Sequence, residues 1–306
     1  MPIAQALLWI ATACVAADAP PEEPAVRTVD FYLSGMLAQR QRIRSGDFVV
    51  MGMKSSKDST RPEFDYSGKL LISCQFDETR VRMDNLEPGM VPTPTKIKPG
   101  RIARKYIRTP DQSVTWLDPE AQNKIVISIP ETVFGSFLFF DVRGLGLTKC
   151  HPLTSQHGWT AHATIAALKR SLREKSVDTS DPKYVQLVFA LELATRSEEL
   201  RYWLRPDQGF APVRLETKTR QLDSPDQDWH VNEHSETAWE QIDGVWLPVR
   251  FEVTQNEKTV EQRLAWKIRW RSVNKPIDDS RFGWKDFGAP ESTEVLNGVA
   301  GGQKVR

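Results

Sequence analysis

From Val245 onward the chain alternates apolar and polar positions with a period of two. Val245, Leu247, Val249, Phe251 and Val253 interleave with Trp246, Pro248, Arg250 and Glu252. A further run repeats the pattern, with Leu264, Trp266, Ile268 and Trp270 set between Ala265, Lys267, Arg269 and Arg271. That period predicts strands with one buried face. Asp243-Gly244 precedes the first run, and this dipeptide tolerates the positive φ that a type I′ turn demands at both central positions. With Trp229–Ile242 before the turn, the pattern predicts a three-stranded antiparallel meander.

The same reading predicts strands at Phe48–Met53, Tyr66–Phe76, Thr79–Met83, Arg101–Arg108, Ser113–Leu117, Lys124–Ile129, Tyr184–Ala194, Glu199–Arg205 and Ala211–Gln221, roughly twelve in all. Two stretches switch to helical spacing. In Thr28–Arg44 the positions Val29, Tyr32, Leu33, Met36, Leu37, Arg40 and Ile43 recur every three or four residues, with Gly46 as a stop, and Thr160–Glu174 carries Ile165, Leu168 and Leu172. Between the strand groups lies an apolar insertion, Val133–Leu147. An antiparallel sheet of this size curls, and helices find their place across its concave face. The expected fold is therefore mainly β (α+β): a curved antiparallel half-barrel with an N-terminal helix and a helical insertion covering the concave face.

Residues 1–19 read as a signal peptide, because Ala4–Ala17 is uncharged, mostly apolar and closes on small residues, while being too short for a membrane span. A proline- and glutamate-rich linker follows at 20–27, the half-barrel domain spans 28–295, and 296–306 is a flexible tail. Export to the periplasm or out of the cell follows from the leader. With 41 Lys and Arg against 40 Asp and Glu, the net charge of +1 gives no electrostatic case for nucleic acid. In an exported chain Cys74 and Cys150 are candidates for a disulfide, with two separate buried thiols as the alternative.

Candidate chemistry is sparse. His151, His157 and His162 lie close together, but their spacing fits no metal motif, and His230 and His234 fit an exposed strand. Asp278-Asp279 reads as turn capping after Pro276, and Asp286-Phe287-Gly288 lacks every accompanying kinase element. No catalytic residue, metal or cofactor is predicted. The aromatic content says more, with 10 tryptophans in the chain. Trp116, Trp203, Trp239, Trp266 and Trp270, together with Phe134, Phe137 and Phe140 of the insertion, either fill a packed core or line a greasy cavity under a lid.

The order of elements carries a resemblance. The segment Leu37-Ala38-Gln39-Arg40-Gln41-Arg42-Ile43-Arg44-Ser45-Gly46, the hairpin Trp239–Val253 and the tail Val273-Asn274-Lys275-Pro276-Ile277-Asp278-Asp279-Ser280-Arg281-Phe282 resemble the LolA/LolB-like outer-membrane lipoprotein-carrier superfamily, especially its large secreted members. The resemblance implies an unclosed barrel whose hydrophobic cavity holds acyl chains of lipoproteins in transit across the periplasm. Its implied partners are a lipid or acylated lipoprotein, with transient contact to the membrane or to envelope proteins. The expected function is then non-catalytic binding or carriage of such chains. The alternative is an envelope interaction or sensor domain with a dry core.

Overall fold

The computed structural model describes residues 27–62, 65–87, 103–117, 123–130, 141–147, 161–171, 173–222, 228–257, 259–298 and 303–304. The expected leader and most of the linker lie outside these residues, as do Phe134, Phe137, Phe140, Cys150, His151 and His157. The described strands form one 15-stranded sheet. It is open and curved, as the alternation predicts. The N-terminal wing is a meander of β1 (Gly46–Asp58), β2 (Tyr66–Phe76), β3 (Val81–Glu87), β4 (Ala103–Arg108), β5 (Ser113–Leu117) and β6 (Lys124–Ser128). The C-terminal wing runs through β7 (Glu174–Asp178), β8 (Val185–Glu192), β9 (Arg196–Arg205), β10 (Ala211–Gln221), β11 (His230–Ile242), β12 (Val245–Glu257) and β13 (Val260–Val273). The wings join where β1 and β13 pair antiparallel from Gly46↔Val273 to Asp58↔Val260. β14 (Glu294–Asn297) then adds in parallel to β6, and β15 (Gln303–Lys304) pairs with β14. These last strands carry the sheet into the stretch expected to be a free tail.

The β11–β12 turn forms as the dipeptide predicts, with φ of 50° at Asp243 and 74° at Gly244. Two expectations shift. The second helix, α2, covers Ala161–Arg170 and stops short of Glu174, where β7 begins instead. β7 escapes pattern reading because it is a short, charged edge strand with Val177 as its one strongly apolar residue, the composition that keeps sheet edges from pairing with other chains. The first helix, α1, spans Val29–Gln41 and is capped by the Thr28 side chain, which accepts from the Phe31 amide.

Both helices lie on one face of the sheet. There α1 and α2 pack Tyr32, Leu33, Met36, Ile165 and Leu168 against Leu187, Phe189, Leu200, Tyr202 and Leu215. Next to this cluster, Phe48, Val50, Ile72, Phe251, Leu264, Trp266 and Ile268 form a second one, covered by Ile43, Val142 and Leu145. Trp266 lies against Gly52 of β1, where a Cβ would stand 2.6 Å from its ring and 2.4 Å from the Ala265 carbonyl oxygen. Glycine is required at that crossing for the indole to lie flat.

Among the described residues the other face is covered only at the N-terminal wing. Residues 277–289 fold back across β3–β6 and place Phe282 and Phe287 on Ile107, Val114, Trp116 and Ile125. Arg82 anchors this strap. Its guanidinium donates to Asp84 at 2.8 and 3.0 Å and to the Arg281 carbonyl at 2.9 Å, and it also pairs with Asp286. Desolvation pulls the Arg82 pKa down, but Asp84 and Asp286 more than offset it and hold the cation firmly charged.

Cys74 faces the helix-covered side, is buried, and is free among the described residues. Burial first, then Asp141, Asp47 and Asp84, push its thiol well above the ordinary range. Thiolate is the reactive form, so the native protein under reducing conditions should leave Cys74 unlabelled by maleimide at neutral pH and label it on unfolding. Peptide mass spectrometry of the labelled chain checks this, and rapid native labelling would contradict the burial.

Candidate functional site

The helix-covered face holds one feature that core packing does not explain. Arg40 falls at the seventh helical residue after Leu33, on the same apolar face of α1, and is 1% exposed. Its guanidinium lies 4.0 Å over the ring of Trp239, and Nη2 donates to the Leu145 carbonyl at 2.9 Å. Nε and Nη1 are buried without a hydrogen-bond partner among the described residues. Burial pushes its pKa down to about 9, with Asp141 acting in the opposite direction, so the group is still a cation at neutral pH. An uncompensated buried charge is expensive, and unfilled donors add to the cost.

The surroundings of Arg40 are fixed by local chemistry. Residues 141–147 cross over the sheet as a short 3-10 turn, with the Asp141 side chain accepting from the Arg143 amide. Gly146 has a φ of +75°, and a Cβ there would meet Thr237 Oγ1 at 2.9 Å, so glycine brings this segment down onto β11. The Tyr202 hydroxyl donates to the Leu147 carbonyl at 2.7 Å. Burial raises the Tyr202 pKa, and the nearby Glu233 carboxylate raises it further, so the hydroxyl stays a donor. Trp239 is held from below by its own N–H, which donates to the Pro212 carbonyl at 2.9 Å. Gln39 fastens α1 to β12 through the Trp246 carbonyl at 2.6 Å.

Beside Arg40 a cleft of about 230 Å³ opens between α1, α2 and the 141–147 segment. Its lining includes Arg40, Arg44, Arg143 and His162, with Glu78 as the carboxylate among them. Arg143 is neutralised by Asp141 at 2.9 Å. The site thus joins an apolar sheet face to a buried cation with free donors, the two halves of what an amphiphilic anion presents. Among the described residues no cluster of His, Cys, Asp and Glu is arranged to hold a metal.

The aromatic candidates divide between the faces. Trp239, Trp266 and Trp270 lie on the helix-covered side, where Trp270 packs 4.8 Å from Phe48 and donates to the Pro248 carbonyl. Trp116 and Trp203 lie on the opposite face. Trp116 is stacked under Phe287 of the strap, 6.4 Å between ring centroids. Trp203 alternates with the core residues Tyr202 and Leu204 and carries Arg214 at 4.3 Å over its ring. Neither can line a cavity beneath the helices. Asp278 caps the turn at Ser280, Asp279 pairs with Arg80, and Asp286 belongs to the Arg82 anchor, so these carboxylates are structural. Arg40 is the residue that sequence reasoning passed over as a site, although a cation in an apolar helical stripe was the visible sign.

No family model matches the chain, and no curated protein is similar to it. Among solved structures, it is similar to a DUF1329 family protein from Desulfovibrio piger, at 11% identity over 85% of this chain and 98% of that one, with a TM-score of 0.44. It is also similar to a domain assigned to outer-membrane lipoprotein sorting from Vibrio parahaemolyticus, at 10% identity over 83% and 97% of the two chains and a TM-score of 0.41. A LolA superfamily protein from Nitrosomonas europaea matches at 12% identity over 83% and 98%, with a TM-score of 0.38. At these identities and TM-scores the likenesses assign this chain neither a family nor a role.

Proposed function

We propose that this protein is an exported, non-catalytic binder or carrier of lipid or lipoprotein acyl chains in the cell envelope, periplasmic or secreted. The observation that carries the reading is Arg40: a cation buried on Trp239, with two donors unfilled among the described residues, at the border of an apolar sheet face. An acyl chain lying on the Phe48, Trp266 and Phe251 surface would place an attached carboxylate or phosphate against the guanidinium. In the described arrangement α1 and residues 142–145 cover that surface, so uptake requires them to lift. The Leu145 and Leu147 carbonyl contacts are the hydrogen bonds that opening would break. Ala4–Ala17 supports export, and no described helix is long and apolar enough to cross a membrane.

An organic extract of the purified protein should release acyl-bearing amphiphiles detectable by mass spectrometry. Added acyl ligands should quench tryptophan emission, with Trp239→Phe reducing the change. A lipid-free sample whose emission ignores acyl ligands would remove the carrier reading and leave the dry-core interaction domain.

A further inference from the structure

The face of the sheet turned away from the helices has a second unexplained feature, at the seam of the two wings. Register sets Met51 between Leu71 of β2 and Lys267 of β13, and Met53 between Lys69 and Ala265. The row before them places Val49 next to Arg269. Met51 and Met53 are 40% and 46% exposed, although they sit in the middle of the sheet rather than at its edge. Together they floor a shallow groove of about 740 Å³. The strap that covers the neighbouring strands ends before reaching them.

The charges around this apolar floor are lopsided. Arg250, Arg263 and Arg271 on the same face are held by Glu252, Glu261 and Asp47. Lys69, Lys267 and Arg269 are exposed and take no carboxylate among the described residues. A chain with a net charge of +1 therefore concentrates three unpaired cations around one small apolar patch.

From this pattern we propose that the outer face over β2, β1 and β13 docks on an anionic phospholipid surface. Unbranched thioether chains adapt to a fluid surface, and long basic side chains lay their stems along the apolar patch while their heads reach phosphates. The arrangement is that of an interfacial binder: a small apolar centre with a cationic rim. An acidic protein partner fits less well. Protein interface cores are depleted in lysine, and two of the three cations around this patch are lysines. The docking face is opposite the Arg40 site, so a membrane-bound molecule would keep its helix-covered side free.

Co-sedimentation of the full chain with vesicles of phosphatidylcholine, with and without phosphatidylglycerol, tests the proposal. Binding is expected only with phosphatidylglycerol and should weaken as salt rises. Each cation near such a surface contributes about fivefold, so Lys69→Gln/Lys267→Gln/Arg269→Gln should lose about a hundredfold. Met51→Ser/Met53→Ser should lose about tenfold through the apolar contribution. All five positions are exposed, and the variants should keep wild-type tryptophan emission and acyl-ligand uptake. The proposal is overturned if wild type ignores phosphatidylglycerol vesicles, or if the triple variant binds them equally well. It is likewise overturned if polyglutamate is bound as tightly as the vesicles with no contribution from the methionines, an outcome that would assign the patch to acidic polypeptides.

Discussion

Arg40→Met makes this protein more stable and a poorer binder of anionic amphiphiles. Replacing buried ion pairs by apolar residues of similar size gains about 1–4 kcal/mol, and among the described residues Arg40 lacks even a hydrogen-bonded carboxylate partner. Losing the donor to Leu145 takes back about 1 kcal/mol. A net gain of up to about 3 kcal/mol remains, visible as a higher urea midpoint with an unchanged slope. Methionine is long enough to keep contact with Trp239 but presents no charge to a ligand headgroup. Hydrogen bonds to charged groups are worth about 1.5–3 kcal/mol, so affinity for an acyl carboxylate should fall by at least about tenfold. Opposite signs for stability and binding are what separate a binding residue from a structural one. A large loss of stability would mean that Arg40 serves the fold.

Arg82→Ala has the reverse character. The Arg82 side chain is only 3% exposed and is satisfied by two carboxylates and two carbonyls, so its removal strips Asp84 of its bidentate partner and leaves Asp286 with Arg281 alone. Lys105, at 3.9 Å from Asp84, is too distant to replace the bidentate contact. Breaking a buried pair from one side costs about 3–5 kcal/mol. The damage should be local at first, because Arg82 fastens the strap that covers Ile107, Val114 and Trp116. Limited proteolysis should therefore cut within residues 277–289 before the sheet opens, and the urea midpoint should drop in step. A change below about 1 kcal/mol with an intact strap would show the cluster to be a surface network of little consequence.

These two arginines also mark where sequence reading stops. The β11–β13 meander was legible because each strand has one wet and one dry face, and the type I′ turn was legible because Asp243-Gly244 leaves few alternatives. Alternation assigns residues to two sets but does not say which set meets the helices. In β5 all five residues are buried, since the strap covers the face that would otherwise be wet, and the parity signal disappears. Trp116 consequently reads like Trp266 in the sequence while lying on the other side of the sheet. Trp203 fails for a different reason, being a large apolar ring used on the outer face as a platform for Arg214. In the sequence Arg40 reads as a helical-stripe residue. Its meaning depends on Trp239 and Leu145, 199 and 105 positions away, and no local pattern reaches that far.

A long-chain fatty acid and its methyl ester share an apolar tail and differ only in the charge that Arg40 would meet. Titrating each into wild type and Arg40→Met by isothermal calorimetry puts the amphiphile-binding claim to a direct test. The acid should bind wild type at least about tenfold more tightly than the ester, and the difference should vanish in the variant. Equal affinity of wild type for both, or heat from neither, would contradict it.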